Sequence, residues 1–337
     1  VFEVRLDDVH QRAATGVLPP DLLVDDLIRD AHRRYATDDE GVVADYIPIL
    51  GRAEPSDFGL ALVDVAGHAH EAGDVQRRFS LQSVSKAFVF ALACERIGHA
   101  AVHANVGVNN TGLPFNSVIA LELNDGSPMN PMVNAGAIAT TAMIPAGSAE
   151  ARWDIVLDGL SAFAGRELAL DEEVYESESV TNHRNRAIAA LLQSYGRLDE
   201  DPLESVDVYT RQCSLAVTAH DLAVMGATLA DGGVNPVTGH RVVAADVARD
   251  TLAVLATTGM YETSGEWLYE IGLPAKSGVS GGIVAIAPGK GAVGAYSPRL
   301  DAAGNSVRGQ RACAHLSRSL GLNLFASVAR DEREEIG

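Results

Sequence analysis

Ser83 and Lys86 stand three positions apart in Phe79-Ser80-Leu81-Gln82-Ser83-Val84-Ser85-Lys86, and together they could perform nucleophilic acyl chemistry. A serine hydroxyl is a weak nucleophile at neutral pH and needs a base beside it. A lysine whose pKa is lowered by desolvation supplies one. Residues i and i+3 share a helix face, so the spacing predicts Ser83 Oγ and the Lys86 amine within hydrogen-bond reach. At a helix start the pair would also face free backbone N–H groups and the positive end of the dipole, which favour developing negative charge. Taken alone the spacing is common, and a capping serine with a surface lysine reads the same way.

A second element narrows the chemistry. Lys276-Ser277-Gly278 precedes a glycine pair, Gly281–Gly282, and a strand-like run. S-x-x-K followed much later by K-[ST]-G on a strand is the pattern of penicillin-binding proteins and class A β-lactamases. In that arrangement an edge strand lines the site and lends N–H groups to an oxyanion hole. The middle element of the pattern, Ser-Asp-Asn, is absent from this chain. Two other matches are set aside. Gly278-Val279-Ser280-Gly281-Gly282 fits G-x-S-x-G, but a β-like run follows where a nucleophile elbow needs a helix. Residues 289–294 fit G-x-G-x-x-G but open no helix, so they read as a hairpin turn rather than a dinucleotide site. His99 and His103 lack the glutamate of a zinc-protease helix, so no metal is expected. Cys213 has no marked base and reads as a small buried residue.

Motifs in a fixed order complete the picture: residues 44–48, Leu81-Gln82-Ser83 with Lys86, 130–138, Ser177-Glu178 with Arg184-Asn185, Tyr209 with Cys213-Ser214, 259–261 with Ser264-Gly265, 273–279 and 304–307. From about residue 45 to 325 the chain closely resembles the serine-dependent, β-lactamase-like glutaminases. The resemblance implies Ser83 as nucleophile, Lys86 as its base, Tyr209 as a proton-transfer partner and Tyr261 as a second tyrosine at the reacting amide. It further implies an oxyanion hole from the Ser83 and Val279 amides, and an amino-acid head held by Tyr46, Asn134, Glu178 and Asn185. Elementary chemistry agrees with the last assignment. Free L-glutamine carries an ammonium, which Glu178 can pair with, and a carboxylate, to which Asn134, Asn185 and Tyr46 can donate. No cofactor is implied, and homodimers or homotetramers are usual among such proteins. A penicillin-recognising serine hydrolase and a non-catalytic glutamine-binding module are the competing readings.

The elements around these residues must bring distant motifs together. Phe58–Val65 reads as a buried strand entering a hairpin at Ala66-Gly67-His68, and 83–98 as a helix closed by Gly98. Helical patterns follow: 153–163 closed by Gly165, 188–195 closed by Gly196, one opened by a Thr218–Asp221 capping box, and 246–258. Residues 282–287, 292–296 and 322–328 read as late strands. The order predicts an α/β chain of the α+β type, β-lactamase/DD-peptidase-like, with an antiparallel sheet from both chain ends flanked by helices. Residues 1–330 read as a single catalytic unit. Its sheet part covers about 40–85 and 240–330, its mostly helical second subdomain about 86–239, and 331–337 is a frayed acidic tail.

Composition sets the outer limits. The 337 residues carry a formal net charge of −19, which argues against binding a nucleic-acid backbone. No apolar run reaches the roughly 18–20 residues of a membrane span. The first ten residues show no secretory signal, and three scattered cysteines make no disulfide framework, which points to the cytoplasm.

Overall fold

A computed structural model describes residues 8–9 and 16–327. The expected acidic tail, 331–337, lies outside the described residues. Strands β1 (Gly59–Asp64), β2 (Ala69–Gly73), β6 (Ala275–Ser277), β7 (Gly282–Ala287) and β8 (Gly291–Tyr296) form one antiparallel sheet in the order β2-β1-β8-β7-β6. The early hairpin therefore pairs through β1 with the late strands in one sheet, as the sequence predicts. A small second sheet joins β3 (Phe79–Ser80), β5 (Leu215–Val217) and β4 (Ala169–Leu170).

Helices cover both faces of the larger sheet, so β7 and β8 are buried along their whole length. Alternate residues of β7 serve opposite layers: Val284 and Ile286 face one core, Ile283, Ala285 and Ala287 the other. The first core is built with α2 (Ser85–Ile97), α6 (Ala149–Ala164), α10 (Ala219–Ala230) and α11 (Ala245–Thr258). Helix α10 lies hard against the sheet because Gly294 leaves room for it: a Cβ there would sit 2.1 Å from the Ala219 carbonyl oxygen. The second core is built with α1 (Asp21–Tyr35), α12 (Ser264–Glu270) and α13 (Val307–Ser319). Between the first core and the solvent sit α3 (His99–Asn105), α4 (Ile119–Glu122), α5 (Asn134–Ala142), α7 (Glu172–Thr181), α8 (His183–Ser194) and α9 (Pro202–Cys213); α5, α8 and α9 share a core of their own. Among the described residues no helix is long and apolar enough to cross a membrane.

Most punctuation falls where the sequence puts it. Gly98 and Gly165 take positive φ at helix ends, and Thr218 with Asp221 closes a full capping box. The elbow and dinucleotide matches fall on turns into β7 and β8, as read. Two regions differ. Residues 322–327 form no strand; the chain turns after Gly321, and Phe325 is 67% exposed with no strand beside it. Ahead of them lies α13, which the sequence reading missed. Its inward face mixes Ala312, Cys313 and Leu316 with Arg308, Gln310, His315 and Ser317, so small and polar residues interrupt the apolar stripe.

Candidate active site

Ser83 stands on a 3-10 turn, Gln82–Val84, that leads from β3 into α2. The turn begins with Gln82 at φ +49, in the left-handed region that non-glycine residues rarely occupy. The helix proper starts only at Ser85, so the nucleophile candidate precedes the helix instead of opening it. The Lys276-Ser277-Gly278 segment packs directly on this turn. A Cβ on Gly278 would lie 3.2 Å from the Leu81 carbonyl oxygen and 3.3 Å from the Gln82 Cβ. Val279 follows this segment and packs in one cluster with Tyr261, and neither its backbone N–H nor that of Ser83 has a backbone acceptor among the described residues.

Lys86 lies one turn into the protein, 1% exposed. Its ammonium donates to the Met132 carbonyl at 3.2 Å and to Asn134 Oδ1 at 2.7 Å. No hydrogen bond joins it to Ser83 Oγ, so the contact expected from the i, i+3 spacing is not made. The 3-10 geometry of the serine turn and the pull of two oxygen acceptors account for this. Burial lowers the Lys86 pKa to about 8. Its Nζ sits 6.0 Å from the Tyr209 ring and 5.7 Å from the Phe115 ring.

The two tyrosines bracket the serine turn. Tyr261 is held at φ +54, its hydroxyl donates to the Ser277 carbonyl at 3.1 Å, and the same phenol lies close beside the Ser83 hydroxyl. Tyr209 comes from α9 and is 4% exposed; burial raises both phenols well above their ordinary pKa. Lys276 is wholly buried beneath Tyr261, with Nζ 4.4 Å from the ring centroid. It donates to the carbonyls of Gly259 and Ser277, at 2.9 and 2.8 Å. Burial first, and the nearby Lys86 charge second, hold it well below the usual lysine range. Cys213 faces the same interior, and burial lifts its thiol to about 12, which removes it as a nucleophile at neutral pH.

A second set of groups borders the centre. Asn134 opens α5 and donates through Nδ2 to Asn185 Oδ1 of α8 at 2.9 Å, so Lys86, Asn134 and Asn185 form one connected chain. Glu178 of α7 is half-buried and accepts from Gln82 Nε2. Burial of its carboxyl raises its pKa to about 7, while the Gln82 hydrogen bond works the other way. Tyr46 is 63% exposed on the loop before Leu50, within electrostatic reach of Glu178. The residues implied for the substrate thus connect to the serine turn directly or through one another, whereas His99 and His103 line a separate pocket. The sequence reading did not single out Gln82 or Phe115. Phe115 packs on Tyr261 with ring centroids 4.8 Å apart, and its carbonyl accepts from the Asn134 backbone. Gln82 adjoins the nucleophile candidate, but its conformation and partner exist only in three dimensions. An apolar pocket of about 400 Å³, lined by Phe90, Cys94, Val106 and Val254, lies away from these groups.

The family model described as Glutaminase matches residues 41–325. "Glutaminase 2" of Yersinia pestis is 54% identical over 320 residues, covering 95% of this chain and 94% of that protein. "Glutaminase" of Colwellia psychrerythraea is 47% identical over 307 residues, covering 91% and 99%. Among solved structures, a Bacillus glutaminase in 4.3 M NaCl superposes with a TM-score of 0.81 at 34% identity, covering 88% of this chain and 98% of that one. Native Mglu superposes with a TM-score of 0.86 at 41% identity, covering 91% and 75%.

Proposed function

The chain belongs to the glutaminase family and catalyses the hydrolysis of glutamine to glutamate, and we propose that it does so through an acyl-enzyme on Ser83. Lys86, working with Tyr209, takes the Ser83 proton as the oxygen attacks the γ-carbonyl of L-glutamine. The oxyanion rests on the Ser83 and Val279 amides. The relay returns the proton to the leaving nitrogen, with Tyr261 beside it, and ammonia departs. Water then attacks the ester and releases L-glutamate.

The observation that carries this reading is a buried lysine, lowered to about 8, behind a serine whose turn is packed against the Val279 segment. A base needs a pKa near the working pH, and burial gives Lys86 one. Since Lys86 bonds to Met132 and Asn134 rather than to Ser83, the proton passes by way of Tyr209 or after a small swing of the lysine head. Glu178 takes the substrate ammonium, and Asn134, Asn185 and Tyr46 take its carboxylate. This division places the amino-acid head at the mouth and the amide inside.

The working unit we infer is one catalytic body, a sheet part (about 40–85 and 240–330) with a helical part (about 86–239), assembled as a homodimer or homotetramer in the cytoplasm. Three free cysteines, all buried, suit a reducing compartment. Light scattering on the eluting protein reads the assembly directly. The activity test is ammonia release from L-glutamine and L-asparagine by the wild type beside Ser83→Ala. Full turnover by the variant would remove the acyl-enzyme scheme.

A further inference from the structure

Gln82 takes no part in the proton relay, yet it is 4% exposed and holds a left-handed backbone. Such a conformation persists only where its surroundings fix it. Its side-chain nitrogen carries two N–H groups, and each has an acceptor: the Ser80 hydroxyl at 3.0 Å and Glu178 Oε1. Ser80 is itself anchored. It is 2% exposed, β3 is paired with β5, and its carbonyl accepts from Ser280 Oγ at 2.7 Å. Glu178 comes from a separate helix, α7, and its carboxylate has no salt bridge among the described residues. The titratable groups facing it are Tyr46 from its loop and Tyr209 and Cys213 from α9, none of them cationic. One donated hydrogen bond therefore ties this acid to the serine turn.

We propose that Ser80 and Gln82 form a brace that holds the Glu178 carboxylate facing the substrate ammonium, which makes both of them positioning residues for the amino-acid head. The proposal deepens the reading above and rests on its assignment of Glu178. The chemistry is that of a charge-assisted hydrogen bond: it orients the carboxylate and keeps it an acceptor, so the energy appears in binding the head and not in acyl transfer. Ser80 acts at one remove, by fixing which way the Gln82 amide points.

Steady-state kinetics at pH 8 on L-glutamine and on its des-amino analogue, 4-carbamoylbutanoate, test it with Ser80→Ala, Ser80→Thr and Gln82→Leu. Gln82→Leu should raise KM for L-glutamine about tenfold and Ser80→Ala about threefold, with kcat within about twofold, the size expected for loss of a hydrogen bond to a charged group. KM for the analogue, which has no ammonium, should not move, and Ser80→Thr, which keeps the hydroxyl, should match the wild type. Equal losses on both substrates, or a fall in kcat at constant KM, would overturn the brace while leaving the glutaminase reading intact. A wild type that binds both substrates alike would overturn the Glu178 assignment and the brace together. Ser80→Ala keeps the backbone pairing of β3, so its thermal midpoint serves as the folding control.

Discussion

The two faces of the large sheet both bury cations, and they treat them in opposite ways. On the α13 face Arg308 is 4% exposed, yet its guanidinium reaches the carbonyls of Asp38, Pro55 and Ser56 at 2.6 to 3.2 Å. Next to it Arg311 pairs with Asp38 and Glu40. On the reaction-centre side Lys86 and Lys276 have neutral oxygen partners only, and no carboxylate forms a salt bridge with either among the described residues. Arginine stays charged in such surroundings, whereas lysine responds to burial by giving up its proton. The first face fastens loops to a helix; the second holds lysines that burial drives toward the neutral form. A buried cation therefore indicates chemistry only when its partners leave it free to lose charge.

Replacing Ser83 by alanine sharpens this contrast most. We expect turnover of L-glutamine to fall at least about a thousandfold with the fold retained, because the nucleophile is lost and the packing hardly changes. Circular dichroism beside an ammonia assay reads both. Lys86→Met should come next, lowering kcat by about a hundredfold or more. It should also raise the unfolding free energy at pH 7 by about 1–2 kcal/mol, since a desolvated ammonium is replaced by an apolar chain. The linkage sign follows from the same lysine. Its folded pKa of about 8 lies below the ordinary 10.5, so the unfolded chain binds more protons between those values. Wild-type stability should rise across that window relative to Lys86→Met, which denaturant titrations at pH 8 and 10 compare. A variant that is both inactive and less stable would break the contrast.

The pH profile should show a smaller effect. Glu178, raised to about 7, is neutral below that pH and cannot pair with an ammonium, while Lys86 is protonated below about 8. kcat/KM should therefore climb steeply from pH 6 to 8 and level off above it, by about tenfold or more per unit at the acid end. In Glu178→Gln the climb should keep only its lysine component. The smallest catalytic effect belongs to the other face. Arg308→Met should leave kcat and KM unchanged and lower stability by about 1–3 kcal/mol, because the part-buried carbonyls of Asp38, Pro55 and Ser56 lose their donor. A change in kcat there would show that the faces are coupled.

Particular residues show why the sequence was legible where it was. The β1–β2 hairpin, the Thr218–Asp221 cap and the glycine stops are local events, set by a few neighbouring side chains and backbone angles. The site residues were legible for another reason: their types and order are those of a family whose chemistry constrains them. Helix α13 was hidden because its buried face mixes small and apolar residues with Arg308, Gln310, His315 and Ser317, some of them satisfied by partners as remote as Asp38 and Ile271. The run from Leu322 was misread because β-forming residues do not make a strand without an open edge to pair with.

The S-x-x-K and K-S-G motifs returned from the structure altered in one respect. Residue types and spacing raised the possibility that Ser83, Lys86 and Lys276 serve one site, and the ordered match to a known family turned it into an expectation. The same resemblance, and not the residue types, implied that Glu178, Asn134 and Asn185 would attend an amino acid. Only the tertiary structure decided that the serine precedes its helix, and that Lys86 turns to Met132 and Asn134 instead of Ser83. It alone set Gln82 between Ser80 and Glu178. The reason is physical: residue type fixes what a group can donate or accept, whereas which partner it meets, and how much water it keeps, depends on segments far away in the chain.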